Sequence, residues 1–263
     1  MTAPLLSVRD VSVSFGGVKV LDGINLDVKP GEIRGLIGPN GAGKTTMLNV
    51  ISGIHPPHHG DVLLDGASIV GRKPSDIARL GLGRTFQTSQ LFRGMTVLEN
   101  LMTGLHHRTS SGLLAACFNT RRHQEEEEAT KEEARQALEF IGMSAFADRP
   151  GSALSFGQQR VIEIARTLIG SPKVVLLDEP AVGLSLNRLA EFDLLLRRIR
   201  DEKGVTLILI EHVIRLVMDV CDQVTVLSSG RRIAEGSPDT VRNDAQVIEA
   251  YLGKELRARH PAS

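Results

Sequence analysis

Tryptophan is absent from this 263-residue chain, tyrosine occurs once (Tyr251), and aromatic residues make up only 3% of it. Few flat side chains are therefore available for stacking bases, the platform that single-strand binders use. Excess charge is missing too. The 31 Lys and Arg balance 31 Asp and Glu, so no whole-molecule field draws the chain to nucleic acid. The two cysteines, Cys117 and Cys221, stand too far apart for a metal or redox spacing and suit a reducing compartment. The longest aliphatic runs, such as Val174–Leu177 and Leu207–Ile210, have strand length, far short of the ~20 residues that cross a bilayer. Met1 to Asp10 lack an apolar signal core. These absences predict a soluble cytoplasmic protein with no nucleic-acid partner. The length predicts one large domain, or a domain carrying a subdomain.

What is present has clear order. Leu5–Phe15 and Val20–Val28 alternate apolar and polar residues, which predicts antiparallel strands. Ile33–Ile37 reads as a buried strand running into a Gly-rich loop, with a helix leaving it over Lys44–Ser52. A strand at Gly60–Leu64 and a short helix at Pro74–Leu80 follow. Thr96-Val97-Leu98-Glu99 has the form of a capping box opening a helix. A polar Gly/Ser-containing stretch covers Leu105–Arg122, and a charged helix is expected over about 124–141. From Ser155 onward helices and apolar strands alternate: Phe156–Ile169, Val174–Asp178, Leu186–Asp201, Val205–Ile210, His212–Val220 and Val224–Leu227. That alternation predicts a mainly parallel sheet covered on both faces. The fold class is α/β: a P-loop core with an N-terminal antiparallel β subdomain and an inserted α-helical subdomain at about 88–154.

Gly38-x4-Gly43-Lys44-Thr45 stands after a predicted strand and before a predicted helix, the context a phosphate-binding loop requires. Glycines there let backbone N–H groups from Asn40 through Gly41, Ala42, Gly43, Lys44 and Thr45 converge on a triphosphate at a helix N-terminus. Lys44 is placed to pair with the phosphates and the Thr45 hydroxyl to ligate Mg²⁺. Asp178 and Glu179 end an apolar strand, so both carboxylates are expected at the sheet's carboxyl edge beside that loop. Asp178 would hold Mg²⁺ and Glu179 would polarise the attacking water. An acidic pair at a strand end is also an ordinary helix N-cap, and only the company of the other motifs favours catalysis. The stretch Glu125–Glu128 with Lys131, Glu132, Glu133 and Arg135 reads as a solvated helix face. The histidines at 55, 58, 59, 106, 107 and 123 lack metal-ligand spacing and read as surface residues.

Leu154-Ser155-Phe156-Gly157-Gln158, between the phosphate loop and the acidic strand, carries the most information. Read in order, the three motifs resemble the ATP-binding cassette (ABC) family, the ATPase subunits that power transporters, over about residues 5 to 253. The resemblance implies a RecA-like core at 1–87 and 155–240, one cassette spanning 1–253, and a tail at 254–263. It implies that Ser155, Gly157 and Gln158 hold the nucleotide of a facing cassette, with Thr46 and Gly38 completing the chain's own nucleotide loop. His212 matches the switch histidine, and an ordinary capping or surface residue is the alternative. Gln87, in Arg84-Thr85-Phe86-Gln87, matches the glutamine that senses Mg²⁺ and water. Phe15 lies where the family stacks an aromatic on adenine, and an apolar core residue of the strand is an equal reading. Two positions depart from the family: Phe156 replaces the first Gly of the signature, and Ala181-Val182-Gly183-Leu184-Ser185 ends in Ser where Asp or Asn is usual.

A finer resemblance, in Gly83–Gln87, Leu91–Asn100, Leu105–Arg122 and Ile248–Gly253, is to importers of branched-chain amino acids and related small solutes. It implies ATP and Mg²⁺, a second cassette (heterodimer or homodimer), two membrane permease subunits and an external solute-binding protein. It also implies a place on the cytoplasmic face of the membrane. The rivals are a lipopolysaccharide-type exporter ATPase, a soluble cassette acting on ribosomes or DNA, and a non-enzymatic module with a degenerate site.

Overall fold

The computed structural model describes residues 3–85, 91–105 and 121–251. The chain forms two compact units, Met1–Arg84 with Lys173–Ser263, and Thr85–Pro172. The first unit holds two sheets. Strands β1 (Leu6–Phe15), β2 (Val18–Val28), β4 (His59–Leu64) and β5 (Ala67–Ser68) form an antiparallel sheet in the order β2-β1-β4-β5. Gly16 and Gly17 join β1 to β2 with φ of 54° and 83°. Two positive φ values in succession are what a two-residue hairpin turn of matching twist demands.

The second sheet comprises β3 (Ile33–Ile37), β6 (Leu82–Arg84), β7 (Val174–Asp178), β8 (Thr206–Ile210), β9 (Gln223–Ser228) and β10 (Arg231–Gly236). Its order is β10-β9-β3-β8-β7-β6, all neighbours parallel except β10 on β9. Every residue of β3, β7 and β8 is buried, as strands covered on both faces must be, and the buried Arg34 inside β3 is ion-paired with Glu32. Met47, Leu48 and Ile51 of helix α1 (Lys44–Ile51) share one apolar core with Leu36, Leu176 and Ile208 and with Val8, Val11 and Val13 of the antiparallel sheet. This unit also contains helices α2 (Pro74–Arg79), α6 (Leu186–Lys203), α7 (Ile214–Val220) and α8 (Pro238–Arg242), and residues 245–251 are helical.

Helix α7 begins at Ile214, not at His212 as its sequence suggests. The side chain of Glu211 accepts from the backbone N–H groups of His212 (3.1 Å) and Val213 (3.4 Å), which holds both residues ahead of the helix.

The second unit contains α3 (Val97–Met102), α4 (Arg121–Phe140) and α5 (Phe156–Leu168). The capping box at Thr96 forms: its N–H donates to Glu99 Oε2 at 2.7 Å, and the Glu99 N–H donates to Thr96 Oγ1 at 3.2 Å. Val97 and Leu101 pack with Leu138 and with Ile162, Ala165 and Ile169. The insert expected to end at 154 continues to Pro172, because α5 lends its apolar face to this core. Exposed pairs such as Lys131 with Glu127 (2.9 Å) line α4 as a solvated face. Gln87, most of the Leu105–Arg122 segment and the chain beyond Tyr251 lie outside the described residues.

Candidate active site

Three loops leave the same edge of the parallel sheet. The order β3-β8-β7 sets the exit of β8 between the Gly-rich loop after β3 and the acidic end of β7. Ile210 pairs with Leu36 on one side and Asp178 on the other, so the three strand ends are level. Residues 38, 178 and 211, distant in the chain, become neighbours through strand order alone.

In the first loop Gly38, Gly41 and Gly43 all have positive φ. A Cβ on Gly38 would lie 2.1 Å from the Leu227 carbonyl oxygen, and one on Gly43 would lie 2.8 Å from that of Val20. Neither backbone neighbour can retreat without moving its strand. Gly38→Ala is therefore expected to cost about 1–3 kcal/mol or more, read as a lower midpoint in urea unfolding, and to weaken nucleotide binding with it. A midpoint equal to wild type would show that the loop relaxes freely. The loop closes on its own lysine: Lys44 Nζ donates to the carbonyls of Gly38 (2.7 Å) and Pro39 (3.2 Å), and the residue is only 6% exposed. Asn40, Gly41 and Thr45 are exposed, Thr46 is half-buried and Ala42 is buried.

Asp178 is buried and ion-paired with Arg84, whose Nη2 stands 3.2 Å from Asp178 Oδ2. Arg84, the last residue of β6, also donates to Asn49 Oδ1 and Ser52 Oγ of the helix leaving the loop, both at 2.8 Å. Burial pulls its guanidinium below the ordinary value, and the Asp178 charge opposes that pull. Glu179 follows in the left-handed region, φ 49°, with its N–H on the Ile210 carbonyl at 2.9 Å. A non-glycine residue held there stores strain of order 1–3 kcal/mol. The turn aims its carboxylate at the neighbouring loop, where Glu179 Oε1 meets His212 Nε2 at 2.7 Å. His212 stands just before Val213, the N-cap residue of α7, and its side chain is 41% exposed.

In the helical unit, Ser155 caps α5. Its hydroxyl accepts from the Gln158 N–H at 3.4 Å, and its own N–H donates to Gln158 Oε1 at 2.9 Å. Gln158 thus has a local role as the far end of a capping box. Ser155 remains exposed and Gly157 half-buried at the start of the helix.

Comparison with known proteins agrees with this geometry. A family model described as ABC transporter matches residues 21–182, and one described as branched-chain amino acid ATP-binding cassette transporter matches 231–256. The chain belongs to the ATP-binding cassette transporter family, in its branched-chain amino acid type. It is 41% identical to the high-affinity branched-chain amino acid transport ATP-binding protein LivG of Escherichia coli K12, over 97% of this chain and 100% of that one. The corresponding BraF protein of Pseudomonas aeruginosa is 39% identical with the same coverage. Among solved structures, a cassette from an ABC transporter in its ADP conformation superposes with a TM-score of 0.83 at 34% identity, covering 96% of this chain and 100% of that one. A nucleotide-free cassette gives 0.82 at 33%, covering 94% and 98%. The enzyme class is that of an ATPase, and the family binds nucleotide.

Of the two departures of this cassette, the first has a local contact. The Phe156 ring is exposed and lies under the Arg160 guanidinium, 5.0 Å from ring centroid to the central carbon. Ser185 is the N-cap residue of α6 and its side chain makes no cap hydrogen bond. Phe15 is 47% exposed and stacks on His55 with centroids 4.7 Å apart, so it is not a core residue of its strand. His55, expected on the surface, is instead partly covered by that ring. Among the described residues no group of three His, Cys, Asp or Glu forms a metal cluster. Thr45 and Asp178 offer one hydroxyl and one carboxylate, a donor set that fits Mg²⁺ completed by substrate phosphates.

Three residues at this edge make contacts that the sequence does not predict. Arg84 and Glu211 look like generic charges until the sheet brings Asp178 and Ala181 to them. Tyr251, near the end of the described residues, hydrogen-bonds the backbone of Gly38, and burial raises its phenol pKa. Its being the chain's single tyrosine was the available signal.

Proposed function

We propose that this chain is the ATP-hydrolysing subunit of an importer for branched-chain amino acids or related small solutes, one of a pair of cassettes bound to two permease subunits. The observation that carries the reading is the meeting of the phosphate loop, Asp178, Glu179 and His212 at one sheet edge, in a chain of branched-chain transporter type. Among the described residues no helix is long and apolar enough to cross a membrane, so contact with the bilayer would come through other subunits. A cytoplasmic-face position and an external solute-binding protein complete the picture.

ATP would be held by the backbone N–H groups of Asn40 through Thr45, with Gly38 and Thr46 at the ends of the loop, Lys44 turning from the Gly38 and Pro39 carbonyls to the phosphates and Phe15 offering its exposed ring to adenine. Thr45, Asp178 and Gln87 would hold Mg²⁺, which supplies positive charge to the phosphate oxygens. Glu179 would orient and polarise the attacking water, with His212 fixing the direction of its carboxylate. Ser155, Gly157 and Gln158 of a facing cassette would close over the γ-phosphate. Closure of the pair on ATP and its release after hydrolysis form the two-state element that the permease subunits read.

Capture of the tagged chain from its native membranes tests the assembly. Two multi-span subunits and a second cassette are the expected co-purifying partners. Recovery of ribosomal or DNA-bound proteins in their place would overturn the transport reading.

A further inference from the structure

Glu211 is 1% exposed and precedes the switch histidine. Nothing in the chemistry above uses it. Its two carboxyl oxygens reach two different loops. Oε1 accepts the backbone N–H of Ala181 at 2.6 Å, in the turn that follows Glu179 and Pro180. Oε2 accepts the N–H groups of His212 at 3.1 Å and Val213 at 3.4 Å, in the loop after β8. Above this buried link, Glu179 and His212 touch at 2.7 Å. Two loops separated by 33 positions are thereby fastened twice, once by a buried carboxylate to main chain and once by the side chains that face solvent.

We propose that Glu211 is a positioning residue: it ties the loop carrying Glu179 to the loop carrying His212, and so sets the distance and direction of that pair. The inference rests on the assignment of Glu179 and His212 to the hydrolytic step. The geometry suits an acceptor at both oxygens, because each faces N–H donors. Burial raises the Glu211 pKa and the neighbouring Glu179 charge adds to it, while the three backbone donors act in the opposite direction. The strain at Glu179 gives the tie its purpose. A residue at φ 49° persists only where surrounding contacts over-determine it. The Ala181 N–H held by Glu211 is two residues from that strained position, and the Ile210 carbonyl, the residue before Glu211, holds the Glu179 N–H itself. Loosening the tie would let Glu179 relax toward an ordinary backbone conformation and would part it from His212.

The role is distinguishable from simple support of the fold. Glu211→Ala removes both acceptors. Glu211→Gln keeps the shape but sets an NH₂ group against an N–H donor at one end, and it serves where the alanine variant does not fold. Both variants are measured in the full chain for kcat, KM for ATP, binding of a fluorescent ATP analogue, and thermal midpoint. Misplacing a reacting group by an ångström is worth about 100-fold in rate, so kcat is expected to fall about 10- to 100-fold with analogue binding within about threefold of wild type. In a His212→Ala background the same substitution is expected to lower the residual turnover by less than about twofold, because the pair it positions is already broken. Unchanged kcat in Glu211→Gln overturns the inference. Equal losses in the wild-type and His212→Ala backgrounds overturn it also, since they mark general support of the fold. Glu179→Gln measured alongside separates the two levels: turnover at the wild-type rate would remove the hydrolytic assignment and this inference together.

Discussion

Glu179→Gln is expected to bind ATP with near wild-type affinity and to lose about 10²–10⁴-fold in turnover, the usual worth of a positioned general base. The carboxylate stands beside His212 at 2.7 Å and is only partly exposed, with a side-chain accessibility of 15%. Gln preserves size and one carbonyl oxygen, so the contact with His212 and the backbone turn at φ 49° can persist. What is lost is the charge that draws the proton from water. ATP should then remain uncleaved and hold two cassettes together, because the bridging γ-phosphate is never removed. Single-turnover hydrolysis and size-exclusion chromatography with ATP and Mg²⁺ read both outcomes. Hydrolysis by the variant at the wild-type rate would exclude Glu179 as the base.

The largest stability effect is expected from Arg84→Met. Both partners of the Arg84–Asp178 pair are buried, with side-chain accessibilities of 7% and 5%. Methionine leaves the Asp178 carboxylate without that cation in a site it shares with the apolar strand β7. Breaking one side of a buried ion pair costs about 3–5 kcal/mol, much more than removing an exposed one. Asn49 and Ser52 lose a donor each, which anchors β6 less firmly to the helix behind the phosphate loop. Adding Asp178→Asn to Arg84→Met should return a good part of the lost stability, since the stranded charge is then gone, while turnover stays low because the carboxylate proposed to hold Mg²⁺ is missing. Urea unfolding of the two single variants and the double variant measures the coupling. Unfolding of Arg84→Met within about 0.5 kcal/mol of wild type would show that the pair is not holding Asp178.

Individual elements divide according to where their information resides. β3 and β7 occupy the five-residue spans predicted for them, and the one charge inside β3, Arg34, is buried only because it is ion-paired with Glu32 and Glu235. The Thr96–Glu99 capping box was legible because its two partners are three residues apart, and Ser155–Gln158 has the same spacing. By contrast β6 is three residues long and β10 is half-exposed and charged, so neither has a period to read. Their existence depends on β7 and β9 presenting open edges. α7 starts two residues later than its sequence predicts, because the buried Glu211 side chain diverts the N–H groups of His212 and Val213.

The same division holds for the site. The order of phosphate loop, Ser-Gly turn, acidic strand end and histidine was determined by the sequence alone, since each motif carries its chemistry within a few adjacent residues. Which residues serve those motifs from a distance was decided by the tertiary structure. Strand order β3-β8-β7 puts 38, 178 and 211 side by side, gives Glu179 its His212 and lets Glu211 reach Ala181, and the next strand, β6, gives Asp178 its Arg84. The reason is physical: a local motif needs only the chain's own geometry, whereas a pairing across strands exists only once burial of the sheet has set their order and register.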